Sequence, residues 1–351
     1  VNNLDRHLLL VLLGLVTACG GGASSDAGAT GGGDAARDAT SADTASDAGS
    51  ACDALTPRTP AAEAFVGPEG LRMRLVNLFD GARTSLDATS YLLDDNALIQ
   101  ALAGASERGV RVRVLLDPDQ AVNTGSSAQL RARGVDVRFA SRMFEHFHSK
   151  TLVIDGELGV VMSANLNGYS MQSERNHGVL LRDPEDVADL AALFELDFND
   201  GGAAPELSCT RLVYAPNNAR SRMEALVESA RTTLEVQHLS FSDVAMRNAL
   251  MARAAAGVGV RVLLADPDWI TGNASAASAL RGAGLEVRFL RSLDNHAKLL
   301  LVDGSVAMVG SENLSSTSLD HNREVGVLVT DAAAYATFRD AFESDWSIST
   351  E

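Results

Sequence analysis

Lysine is nearly absent from this sequence. Of 29 basic side chains among 351 residues only two are lysine, Lys150 and Lys298, and the other 27 are arginine. Arginine serves wherever a generic positive charge is enough, so the two exceptions mark positions that need a compact ammonium with three rotatable donors. Other shortages narrow the field. There are three cysteines, no His/Cys set has metal-ligand spacing and no glycine-rich phosphate loop is present, so neither a metal nor another cofactor is expected. Basic patches are missing too, and of the formal charge of −17 some −13 belongs to residues 61–351. A body this acidic lacks the electrostatic footprint of a nucleic-acid binder. No apolar run reaches the roughly 20 residues that span a bilayer.

The short apolar run Leu8 to Val16, after Arg6 and His7, reads as the core of an export signal. It leads into Val16-Thr17-Ala18-Cys19, small residues before a cysteine, which resembles the lipobox of bacterial lipoproteins. Residues 1–19 are therefore expected to be a signal peptide, with Cys19 the lipidated residue. Gly20 does not resemble an inner-membrane retention signal, which favours the outer membrane of the envelope. Residues 20–60 are almost wholly Gly, Ala, Ser, Thr and Asp, with Leu55 the one large aliphatic side chain. Such a segment buries too little surface to offset ordering entropy and is expected to be a flexible tether with a reach of about 35 Å. An exported protein can carry a disulfide, but sequence does not give the separation of Cys52 and Cys209, so pairing and two free thiols both stay open.

The two lysines have matching surroundings, His148-Ser149-Lys150 through Asp155 and His296-Ala297-Lys298 through Asp303. Counting on from each histidine, Ser163 and Ser311 agree, and so do Asn165 and Asn313. The chain is a tandem duplication with a period of 148 residues, too long for a solenoid and suited to one α/β unit per copy. The copies are read as residues 61–205 and 206–351. Within each, the pattern is helix, strand, helix, strand, strand, strand, helix. Asp95 to Arg108 reads as a helix closed by Gly109, and Asp183 with Pro184 opens another. The fold class is α/β, two layered units about a pseudo-twofold axis.

His and Lys at i and i+2 of an extended segment project from one face. Two imidazoles, two ammoniums and two Asn amides brought together suit phosphodiester cleavage. Lys and Asn donors hold the non-bridging oxygens as charge builds. One imidazole attacks phosphorus and the other protonates the departing alkoxide.

At these residues the chain resembles the phospholipase D superfamily, whose signature H-x-K-x4-D followed by G-S-x-N is present twice. The resemblance covers about Ala61 to Trp346. It implies a pair of α/β/α sandwiches with one active site between them and a covalent phosphohistidine formed without metal. It also implies that His148 is the nucleophile and His296 the general acid, and it brings Asp155 and Asp303 into the catalytic set. Their own setting, at strand ends before glycine, suits turn anchors better. Two departures stand out. Met162 replaces the signature glycine that the second copy keeps as Gly310. A carboxylate 28 residues after the histidine is implied to orient an imidazole of the other copy, and it is Glu324 after His296 but Asn176 after His148, with Glu174 near enough to swing in.

The first reading of function is a hydrolase that removes the head group from a phospholipid, acting as a monomer held at the membrane surface through Cys19. Phosphatidyl transfer of the cardiolipin-synthase type is the alternative, since it needs only an alcohol in place of water, and an envelope nuclease comes third. A non-catalytic scaffold is argued against by both intact His-Lys pairs.

Overall fold

The computed structural model describes residues 54–199, 201, 207 and 209–351. The expected signal peptide, Cys19 and Cys52 lie outside the described residues, as does most of the expected tether. The first copy runs β1 (Glu63–Gly67), α1 (Leu71–Gly81), β2 (Ser85–Ser90), α2 (Asn96–Glu107), β3 (Arg111–Leu116), α3 (Ala121–Arg131), β4 (Asp136–Phe139), β5 (Thr151–Ile154), β6 (Leu158–Met162), β7 (Glu174–Leu181) and α4 (Pro184–Phe198). The second repeats it as β8 (Leu212–Ala215), α5 (Ala219–Ser229), β9 (Thr233–His238), α6 (Val244–Ala255), β10 (Gly259–Ala265), α7 (Gly272–Gly282), β11 (Glu286–Leu290), β12 (Asp294–Asn295), β13 (Lys298–Val302), β14 (Val306–Gly310), α8 (Ser316–Asp320), β15 (Glu324–Val329) and α9 (Ala332–Ile348).

Each copy forms a mixed sheet of the same order, β1-β7-β6-β5-β2-β3-β4 and, reversed, β11-β10-β9-β13-β14-β15-β8. The parallel strands lie on one side and the antiparallel ones on the other, with β2 against β5 and β9 against β13 as the junctions. The anticipated helices and strands are present, with Asp95 and Asp183 as N-caps whose carboxylates accept from the first helical N–H groups. The sequence pattern missed β1, α3, β4 and β7 and their counterparts. The last two of these strands are short or carry polar residues at one end, and α3, Ala-Val-Asn-Thr-Gly-Ser-Ser-Ala-Gln-Leu-Arg, has almost no apolar stripe.

Strand parity explains how the copies join. Leu152, Ile154, Val160 and Leu180 point into the first copy's own core beneath α1 and α2. The alternate residues Val153, Val161, Val179 and Leu181 join Leu299, Leu301, Val309, Val325 and Val327 of the second copy, together with α4 and α9, in one shared core. The central strands are thus buried on both faces, which is why they read as unbroken aliphatic runs.

The expected tether requires one correction. Arg58 does not swing free: its guanidinium binds Asp183 at 3.1 Å and Asp186 at 3.0 Å at the start of α4, and donates to the Cys209 carbonyl at 2.6 Å. Cys209 is disulfide-bonded, and its partner lies outside the described residues. Among the described residues no helix is long and apolar enough to cross a membrane.

Candidate active site

Each histidine strand is zipped onto the other copy. Phe147 bridges Arg323, and the His148 N–H donates to the Arg323 carbonyl at 2.8 Å. In the mirror arrangement β12 pairs with the start of β7, and the His296 N–H donates to the Arg175 carbonyl at 3.0 Å. Backbone pairing across the twofold therefore sets each imidazole against residues flanking the other copy's arginine. His148 Nδ1 lies 2.8 Å from Glu324 Oε2, and His296 Nδ1 lies 3.0 Å from Asn176 Oδ1. The crosswise orientation implied by the resemblance is the arrangement found. In both pairs an Nδ1–H facing an oxygen leaves Nε2 with its lone pair free.

Asn176 has not simply lost a carboxylate. In the first copy the order is Glu174-Arg175-Asn176, and in the second Asn322-Arg323-Glu324, so acid and amide have exchanged places. Each acid is held by a matched serine, Ser170 on Glu174 and Ser318 on Glu324. Each also receives the neighbouring amide, at 3.4 Å for Asn176 and 3.0 Å for Asn322. Glu174 reaches within 3.6 Å of His296 Nδ1. His148 thus meets a carboxylate directly, whereas His296 meets an amide with a carboxylate behind it.

Lys150 and Lys298 are fully buried, and each ammonium turns back onto the carbonyl of its own histidine, at 2.9 Å for Lys298 to His296. The side-chain oxygens of Asn165 and Asn313 are buried without a hydrogen-bond partner. Ser163 and Ser311 are committed elsewhere. Their hydroxyls accept the N–H groups of His177 and Val325, and Ser163 also donates to Asn176. They brace the site rather than face a substrate.

Burial dominates the electrostatics. It lowers the His148 pKa to about 4, with Glu324 opposing and the two lysines adding to the effect. His296 is lowered well below its ordinary value by burial and then by Lys298, Lys150 and His148, with no directly bonded carboxylate in opposition. Lys150 falls well below the usual ammonium range and Lys298 to about 7, both through burial. Glu324 stays below the carboxylate norm even though burial raises it, because His148 and Lys150 stabilise its anion.

Asp155 and Asp303 require a correction, since neither joins this cluster. They sit five residues beyond the lysines, about 16 Å along a strand, with positive φ of 56° and 51°. Asp155 accepts from the N–H groups of Arg83, Thr84 and Ser85, and Asp303 from those of Arg231, Thr232 and Thr233. They clamp the loop that feeds β2 or β9. The Met162 departure is a packing exchange. A Cβ on Gly310 would come within 2.3 Å of Gly326 Cα and 2.4 Å of Glu312 Oε2, and where the second copy has Gly310 and Glu312 the first has Met162 and Ala164. Glu312 is fully buried with both carboxyl oxygens unpartnered. Burial, then Glu324, raises its pKa well above the ordinary carboxylate range.

Phe144 and Phe147 pack with Phe194 and Phe198, and Trp269 is buried. His177 and His238 are buried outside the four-residue His-Lys set. Two groups of site residues escaped the sequence reading. Tyr91 packs its ring against His148, and its one signal was the mismatch with Leu239 at the matched strand end. Arg175 and Arg323 bind Asp345 and Asp197 of the opposite copy, and both arginines lay inside motifs that already matched. Among the described residues no group of three His, Cys, Asp or Glu is placed to hold a metal ion.

The family described as cardiolipin synthase, PLD-like domain, matches residues 75–198 and again 223–346. Cardiolipin synthase B of Shigella flexneri is 29% identical over 301 residues, 72% of each chain. A mitochondrial cardiolipin hydrolase of Danio rerio is 34% identical over 139 residues, 38% of this chain and 61% of that one. Among solved structures, phosphatidylserine synthase of Haemophilus influenzae superposes with a TM-score of 0.65 at 14% identity, over 85% of this chain and 88% of that one, a likeness of fold. Two matches to one domain, in register with two His-Lys pairs that meet across a twofold, settle the family: the chain belongs to the phospholipase D superfamily, with two PLD-like domains in one polypeptide.

Proposed function

We propose that this chain transfers a phosphatidyl group from one phospholipid to the hydroxyl of another, in the manner of a cardiolipin synthase. The observation that carries the phosphodiester chemistry is the pair of imidazoles, each with its Nδ1 held by a side-chain oxygen of the opposite copy. Transfer is favoured over the hydrolysis first expected because the relatives that match across both copies are cardiolipin synthases.

His148 Nε2 attacks phosphorus, a P–N bond forms, and the P–O bond to the departing alcohol breaks as His296 gives that oxygen its Nε2 proton. His296, now neutral, takes the proton of the incoming hydroxyl. The incoming oxygen forms a new P–O bond, the P–N bond breaks, and both histidines return to their starting states. Glu324 steadies the charge on His148 during attack, whereas His296, facing Asn176, is the weaker base and the readier donor. The diester brings a negative charge that favours the protonated forms of Lys150, Lys298 and His296, and Asn165 and Asn313 donate to its oxygens through their side-chain NH2 groups.

Attachment at an envelope membrane through Cys19 remains part of the proposal, as does action without a partner subunit. The test is to incubate the full chain in detergent micelles with phosphatidylglycerol and identify the products by mass spectrometry. Cardiolipin and free glycerol are expected. Phosphatidic acid without cardiolipin would instead support hydrolysis, the second reading, which is favoured by the match to cardiolipin hydrolases over 38% of the chain. No lipid product would overturn both.

A further inference from the structure

The two copies put unlike side chains at one matched position beside the histidines. β2 runs out into Tyr91 and β9 into Leu239, and equivalent bridges just beyond, Leu93 with Leu166 and Phe241 with Leu314, fix the correspondence. The Tyr91 ring stands edge-on to the His148 imidazole, with centroids 4.8 Å apart and planes at 67°. The Lys150 ammonium lies 5.3 Å from the same ring centroid, within reach of its negative face. A second edge contact, at 5.8 Å, joins Tyr91 to His146. Leu239 can offer none of this to Lys298 or His296.

The hydroxyl is oriented as well as the ring. Gln120 Nε2 donates to the Tyr91 oxygen at 2.8 Å and lies 3.5 Å from Asp117 Oδ1. A carboxylate only accepts, so it is the NH2 end of the amide that faces Tyr91. The phenol oxygen is therefore the acceptor in this contact, and its own proton has no protein acceptor among the described residues. Burial, followed by Asp117 and Glu324, raises the phenol pKa. The proton therefore stays on the oxygen.

We propose that the Tyr91 hydroxyl donates a hydrogen bond to a non-bridging oxygen of the phosphoryl group carried by His148, and so grips the phosphatidyl group that is retained rather than the alcohol that leaves or enters. This rests on the reading in which His148 is the nucleophile. In an in-line displacement phosphorus has the attacking nitrogen on one side and the leaving or entering oxygen on the other. The alcohols therefore exchange on the His296 side, and groups beside His148 face the equatorial oxygens. Lys150 supplies charge there and Tyr91 supplies direction. Only one of the two histidines carries the phosphoryl group, which gives a physical reason for a donor in one copy and an aliphatic side chain in the other.

Two variants of the full chain test this. Tyr91→Phe keeps the ring on His148 and beneath Lys150 and removes only the hydroxyl, while Tyr91→Leu removes both. For Tyr91→Phe the expected result is a fall of about 10- to 100-fold in kcat/KM for the phospholipid donor, with the KM for the acceptor alcohol and the ratio of transferred to hydrolysed product unmoved. Parental kinetics for Tyr91→Phe, with loss only in Tyr91→Leu, would reduce Tyr91 to ring packing and overturn the proposal. A raised acceptor KM with products shifting toward phosphatidic acid would place Tyr91 on the alcohol side and overturn it too. Binding of inorganic phosphate, read from the His148 ring signals by NMR, separates this inference from the proposed function because it needs no turnover. Tyr91→Phe should bind phosphate at least about fivefold more weakly. Equal affinity, or no binding by the parent protein, overturns the proposal.

Discussion

Asp345→Asn is the substitution that best probes how the two copies are held together. The Asp345 carboxylate is fully buried and accepts three hydrogen bonds, from Arg175 Nε at 2.8 Å, Arg175 Nη2 at 2.9 Å and Gln237 Nε2 at 2.8 Å. It belongs to α9 of the second copy, whereas Arg175 lies on β7 of the first, between Glu174 and Asn176. An amide of the same shape leaves the guanidinium with only the exposed Glu69, 3.4 Å away, as counter-charge and turns an N–H donor toward another donor. Breaking a buried pair from one side costs about 3 to 5 kcal/mol. For a body of this size that lowers Tm by roughly 6 to 10 °C, measurable by calorimetry. Activity should fall as well, because the Arg175 carbonyl receives the His296 N–H. A Tm within about 2 °C of the parent would refute the reasoning. Replacing both partners, Arg175→Met with Asp345→Leu, should restore much of the stability, since no stranded charge remains. The mirror pair is weaker: Arg323 places Nε and Nη2 on a single oxygen of Asp197, whose pKa burial raises to about 6 against the pull of Arg323. Asp197→Asn should therefore cost less than Asp345→Asn.

Other expectations concern single groups. Asn176→Glu gives His296 a directly bonded carboxylate and should raise its pKa by about one unit or more, read by nitrogen NMR. An unmoved titration would show that Glu174 already supplies the whole effect. Asp155→Asn should leave kcat/KM within about twofold of the parent while Asp155→Ala lowers Tm, because the carboxylate clamps backbone N–H groups at a turn. A large loss of activity in the Asn variant would return Asp155 to the reacting set. His177 is buried with its pKa lowered to about 4. The unfolded chain therefore binds a proton near pH 6.5 that the folded chain refuses until about pH 4. Stability from this group is complete above about pH 6.5 and lost across that window at about 1.4 kcal/mol per pH unit. His177→Gln should flatten the fall of the urea midpoint between pH 6.5 and 4, and an identical slope would contradict the assignment.

Much of this architecture is legible in one dimension. Duplication makes corresponding residues countable, so His148 and Lys150 could be matched to His296 and Lys298 without any structure, and aliphatic runs such as Leu299 to Val302 mark strands covered on both faces. What escaped detection were elements with weak local patterns. Polar α3 and the edge strand β1 owe their conformation to the sheet they join, and β7 begins with Glu-Arg-Asn-His, residues that look like a loop until each is given a buried partner.

The sequence by itself determined the chemistry on offer: two imidazoles, two ammoniums and the braces around them, repeated at a fixed interval. It also carried the resemblance to the family, which implied that each copy orients the other's histidine. Only the tertiary structure decided which partner each group received. Pairing of Phe147 and His148 against Arg323, and of β12 against β7, is made between segments more than a hundred residues apart, and no local rule encodes a contact of that kind. It revealed that Ser170 and Ser318 hold the exchanged acids Glu174 and Glu324, that Asp155 and Asp303 clamp turns far from the histidines, and that Tyr91 stands beside His148. Residue type sets what a side chain can donate or accept. The burial and neighbours that turn this capacity into a role arise only when the two copies close on each other.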